Sequence, residues 1–102
     1  MKMITIYMPS NSNHTANANR FVSDMCIHFG GCTYFQAKGA WKNNTAIDTT
    51  VVQVCVDIET EAVVNTMKRC ITNALVVGKQ QSALVKWTDG YCQYITEDDR
   101  PC

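Results

Sequence analysis

The sequence predicts an α+β sandwich in which two helices cover one face of an antiparallel sheet. Three observations predict it. Short segments with an apolar residue at every second position alternate with longer ones whose apolar residues recur every third or fourth. These segments follow the order β-α-β-β-α-β, with one more short strand after them. Turn formers stand at the junctions: Gly30-Gly31, Asn43-Asn44, Gly78 and Asp89-Gly90. At 102 residues, 46% hydrophobic and 18% charged, the chain makes one globular domain with a modest core. The order is that of a ferredoxin-like sandwich with an extra C-terminal hairpin strand, residues 1–95, followed by a loose charged tail, 96–102.

Lys2 to Met8 alternates, with Ile4, Ile6 and Met8 on one face, and Pro9 ends the strand. Ser10 to Thr15 is a loop of short polar side chains suited to capping a helix. From Ala16, Phe21, Val22, Met25 and Phe29 fall on one helical stripe, and Gly30-Gly31 stops it. Cys32 to Lys38 is the second strand, and Asn43-Asn44 the turn into the third. Thr49 to Ile58 puts Val52, Val54, Val56 and Ile58 on its core face and Val51, Gln53, Cys55 and Asp57 on the other. Thr60 caps the second helix, with Glu61 in its positive first turn. Val63, Met67, Cys70, Ile71 and Ala74 make the buried stripe of that helix, Asn65, Lys68, Arg69 and Thr72 face outward, and Gly78 ends it. Ser82 to Thr88 and Tyr91 to Ile95 form a hairpin about Asp89-Gly90.

Nine basic and nine acidic residues give zero net charge. That argues against nucleic acid as a partner, because such binding draws on neutralised phosphates, and it leaves little repulsion between copies. The first eight residues read as a strand and not as a secretory leader. No window approaches the roughly 18 apolar residues of a membrane helix. The expectation is a soluble, cytoplasmic protein without a membrane partner. In that setting Cys26, Cys32, Cys55, Cys70, Cys92 and Cys102 are expected as free thiols. His28 with Cys26 and Cys32 is the one local cluster of soft ligands, and it lacks zinc-type spacing. Neither a metal nor a cofactor is expected.

A right-handed crossover makes the first and second strands parallel, and likewise the third and fourth. Three loops then share one end of the sheet: Ser10 to Thr15, Trp41 to Asp48, and Gly78 to Gln81. The first, with Ser10, Asn11, Ser12 and His14, opens a helix whose free N–H groups favour an anion. The second carries an aromatic ring, a cation and a carboxylate in Trp41, Lys42 and Asp48. The third brings Lys79 and Gln81. Each has an ordinary reading too: a capped solvated loop, a ring packed in a hairpin, a carboxylate closing a turn, helix-end polarity. Their convergence marks this end as the candidate site.

The stretch from Phe29 to Asp57, FGGCTYFQAKGAWKNNTAIDTTVVQVCVD, followed by a helix and by GKQQSALVKW, resembles the phage S-adenosylmethionine lyases. The resemblance runs over residues 29 to 95 in element order. It implies a ferredoxin-like core, a homo-oligomer with a trimer favoured, a nucleoside substrate held between subunits, no metal, and cleavage of S-adenosylmethionine to counter host restriction in the host cytoplasm. Gly39-Ala40-Trp41 matches the family's Gly-x-Tyr, with tryptophan in place of tyrosine. Asp48 matches its glutamate, one methylene shorter, and is the catalytic candidate; Ser10, Asn11, Ser12, His14, Trp41, Lys42, Lys79 and Gln81 are the ligand-binding candidates. Two other readings stand beside it: a non-catalytic anti-defence protein that sequesters a nucleotide signal or blocks a host defence protein through Gln53, Cys55 and Asp57, and a plain structural or accessory domain.

Overall fold

The computed structural model describes residues 2–9, 15–41 and 44–99, and for 15–18, 39–41 and 44–48 the backbone alone. Among these residues the chain forms β1 (Lys2–Pro9), α1 (Thr15–Phe29), β2 (Thr33–Trp41), β3 (Asn44–Val56), α2 (Glu61–Gly78), β4 (Ser82–Lys86) and β5 (Cys92–Thr96). The strands make one sheet in the order β2-β3-β1-β4-β5, with every neighbouring pair antiparallel. This is the expected sandwich with its extra edge strand.

Alternation decides which side of the sheet each residue takes. Ile4 and Ile6 stand opposite Val54 and Val52, and Ile6 is opposite Val85 on the other flank. These side chains are fully buried with Phe21 and Met25 of α1 and with Met67, Ile71 and Leu75 of α2. Both helices therefore cover the same face. Trp87 closes the core below β4, and its indole N–H donates to Gln93 Oε1 at 3.0 Å, so a large ring is buried with its polar atom satisfied.

The helix ends follow capping chemistry, with one displacement. Thr60 Oγ1 accepts from the Val63 N–H at 3.2 Å, as the sequence predicts. Gly30, at φ 80°, ends α1 and returns its N–H to the Cys26 carbonyl. At the far end of α2 the left-handed residue is Lys79 (φ 53°, ψ 40°) and not Gly78, which is still helical and buried. The Gln80 N–H reaches the Leu75 carbonyl at 2.9 Å, so the helix unwinds one residue later than its glycine.

Other readings shift for physical reasons. β3 stops at Val56, and Ile58 is exposed beyond the bend instead of lying in the core. Thr72, expected on the outer surface of α2, is fully buried, and its hydroxyl donates to the Arg69 carbonyl at 3.0 Å, which removes the penalty for burying it. Leu75 adds a further buried residue to the stripe. β5 takes in Thr96, and Glu97–Asp99 form a 3-10 turn packed on α2, where the sequence suggests a loose run.

Candidate functional site

Pairing fixes which loops share an end of the sheet. Pro9 is opposite Thr49, Tyr7 is opposite Leu84, and Ser82 is opposite Thr96. The end of β1, the start of β4 and the end of β5 are therefore level with one another, and the β2–β3 ribbon runs on past them.

At that level a shallow, open depression of about 530 Å³ (the cavity) lies between the end of α2 and the C-terminal hairpin, lined by Val76, Lys79, Gln80, Gln81, Thr96, Glu97 and Asp98. The turn that forms its far wall, Thr96 to Asp98, is pinned by one carboxylate behind it. Asp99 Oδ2 accepts from the Thr96 N–H at 2.7 Å and from the Thr96 hydroxyl at 3.2 Å, and that hydroxyl also accepts from the Asp98 N–H. This ring of bonds holds the 3-10 turn so that Glu97 and Asp98 stay exposed beside the cavity. Its near wall is the left-handed Lys79, a conformation that costs a side-chain-bearing residue about 1 kcal/mol and is commonly retained where the site needs it. One cation, two carboxylates and two amides thus surround a single opening.

The second feature is the ribbon. β2 and β3 pair as far as Trp41 opposite Asn44, beyond the last β1 partner at Thr49. The register shifts by one between Ala37, opposite Thr49, and Lys38, opposite Ile47. Asp48 is the residue left over. A bulge of this kind bends the strand and increases its twist, and such bulges concentrate beside active sites. Trp41 lies at the ribbon's outer end. Three strand spacings separate β2 from β4, roughly 14 Å, so ribbon and cavity lie at the same end of the sheet but on opposite flanks.

The third feature is the face opposite the helices, which no described element covers. Across it Phe35, Val51, Tyr7, Leu84 and Tyr94 stand side by side, one from each strand. Phe35, Tyr7 and Tyr94 are 48%, 38% and 68% exposed, while Val51 between the first two is only 4% exposed. Three aromatic side chains are thus partly open to solvent on a sheet face that no described helix covers.

Two solved structures share this architecture. A phage S-adenosylmethionine lyase in its apo state superposes with a TM-score of 0.64 at 13% identity, over 92% of this chain and 87% of that one. A phage S-adenosylmethionine lyase in complex with S-methyl-5'-thioadenosine gives 0.62 at 12% identity, over 97% and 92%. The likeness is one of fold. No protein-family model matches the chain, and no curated protein matches it.

Of the residues the sequence singles out, Lys79 and Gln81 line the cavity. Trp41 and Asp48 belong to the ribbon, by their backbone. Ser10, Asn11, Ser12, His14 and Lys42 lie outside the described residues. Thr96, Glu97 and Asp98 also line the cavity, and a charged C-terminal run carries no signal in the sequence that it folds back onto a helix. Among the described residues no cluster of metal-ligating side chains occurs, and no helix is long and apolar enough to cross a membrane. Of the thiols, Cys26, Cys32, Cys55, Cys70 and Cys92 are free. Burial pushes the Cys70 thiol up from its ordinary value, Asp24 adds to the shift and Arg69 opposes it. A buried neutral thiol is unreactive.

Proposed function

We propose that this chain is a small phage-type protein that binds S-adenosylmethionine or a related nucleoside and cleaves it, in an assembly of identical chains. The observation that carries the reading is the mixed-charge cavity at the end of the sheet, in a chain that shares its fold with a solved lyase holding S-methyl-5'-thioadenosine. A zwitterion bearing a sulfonium needs both signs of charge nearby. Lys79 supplies a partner for its carboxylate, Glu97 and Asp98 supply partners for its cationic part, and Gln80 and Gln81 offer amides to a base edge. A polyanionic nucleic acid would be repelled by the same two carboxylates.

In this proposal Trp41 stacks on the base. Asp48 is the catalytic group, attracting the sulfonium or polarising the carboxylate as it closes to a lactone. The Ser10 to His14 loop and Lys42 hold the methionine end. Ribbon and cavity stand on opposite flanks of one chain, so the ribbon of one copy completes the cavity of the next, and the open apolar row is the surface through which copies associate. A trimer closes such a head-to-tail contact.

Incubating the purified protein with S-adenosylmethionine and separating the products tests the reading, with S-methyl-5'-thioadenosine and homoserine lactone expected. Absence of product together with a rise in melting temperature that grows with the logarithm of ligand excess would make the chain a binder that sequesters its ligand. Absence of both, across a nucleoside panel, would sink the nucleoside reading. It would leave the open sheet face, with its five-residue apolar row, as the surface for a host defence protein.

A further inference from the structure

The end of the molecule remote from the cavity carries a pair of thiols. Cys26 is exposed on the last turns of α1, Cys32 stands just before β2, and their Sγ atoms are 4.0 Å apart. Cys32 Sγ also points at the Val22 carbonyl, which keeps it turned toward the helix. Between them Gly30 and Gly31 take φ values of 80° and 150°, with no atom within 4 Å of where a side chain would begin, so the short link has room to adjust. A disulfide needs its sulfurs about 2.05 Å apart. Closing the remaining gap takes rotation of the two side chains and, where that falls short, movement of the glycine link, which has open space around it.

We propose that Cys26 and Cys32 form a redox-modifiable dithiol, closing to a disulfide that clasps the end of α1 to the start of β2 when a small-molecule disulfide is the oxidant. The Cys26 thiolate, the more exposed of the two, attacks one sulfur of oxidised glutathione. That breaks the glutathione disulfide, releases one glutathione thiolate and leaves a mixed disulfide on Cys26. Cys32 is partly exposed, although burial first and then Cys26 push its thiol up from the ordinary value. It loses its proton to solvent, and the thiolate attacks the Cys26 sulfur and displaces the second glutathione. The protein gives up two electrons and two protons, and oxidised glutathione becomes two thiols. Cys55 and Cys92 are exposed without a thiol partner among the described residues, and Cys70 is buried, so they serve as internal comparisons.

The test is to equilibrate the folded protein with oxidised and reduced glutathione at stepped ratios, block remaining thiols and digest with trypsin. Cleavage after Arg20 and Lys38 yields a peptide, residues 21–38, that contains Cys26 and Cys32 and no other cysteine. This peptide should lose the mass of two hydrogens and refuse the blocking reagent. It should do so at a more reducing ratio than the same chain requires in denaturant. Cys26→Ser and Cys32→Ser should each leave the remaining thiol as a glutathione adduct. A wild-type peptide carrying glutathione on both thiols, or oxidation no easier in the folded protein than in denaturant, overturns the proposal. The pair lies away from the cavity, so nucleoside binding should be the same before and after oxidation, and the outcome is independent of the proposed function.

Discussion

Lys79 occupies a position where glycine would be cheaper. Its φ of 53° is the one left-handed value among the described residues that carry a side chain, and it stands at the mouth of the cavity. Lys79→Gly should therefore raise stability by up to about 1 kcal/mol, since relief of the backbone outweighs the added freedom of the unfolded chain, while weakening nucleoside binding. A denaturant midpoint and a binding isotherm on the same sample check both halves. Cys70 gives a second expectation. Its thiol is held neutral in the fold, with a raised pKa, so its contribution is complete below the ordinary value of 9.0 and is lost as pH rises through the raised value. Melting temperature should fall more gently above about pH 9 in Cys70→Ala than in the native chain. At this scale the sequence was only partly readable. Thr72 looked like surface because a hydroxyl usually is, and the bond to Arg69 that lets it be buried leaves no trace in spacing. The delay of the helix end from Gly78 to Lys79 was equally invisible.

The elements were far more legible, because burial imposes a period and caps impose residue types. Ile4-Ile6-Met8, Val52-Val54-Val56 and the Met67-Cys70-Ile71 stripe announced their faces, and Thr60 announced the start of α2. The β2–β3 ribbon was harder. Gly39 and Ala40 carry no alternation, and outside the sandwich neither face of a ribbon has to be apolar. A bulge at Asp48 has no signature in a single sequence. The open apolar row yields a prediction for these elements. Phe35→Lys places a charge at the β2 end of the row without touching the core, so it should leave the far-ultraviolet dichroism unchanged and shift the proposed assembly to monomer in sedimentation. An assembly that ignores the charge would mean that copies meet elsewhere.

At the scale of the molecule, zero net charge and a helix-free sheet face suit an assembly of copies, and the separation of ribbon from cavity makes a sharper demand. If the ribbon of one chain serves the cavity of another, Asp48→Asn and Gln81→Ala should each be inactive alone, and an equal mixture refolded together should regain about a quarter of native turnover. Full loss in the mixture would put both groups to work within one chain. That the two features share an end of the sheet followed from the handedness of two crossovers. That they stand on opposite flanks follows from the strand order, which the hydrophobic pattern alone does not number.

Because Asp48 is surplus to the ladder, it sits at a natural joint in the chain. No described residue of β1 pairs beyond Thr49, so lengthening, shortening or retwisting the ribbon beyond the bulge leaves the β1–β3 register and the described core contacts in place. Changes in what the tip grips are thereby uncoupled from foldability, and a lineage could explore new ligands there without first having to repair its interior.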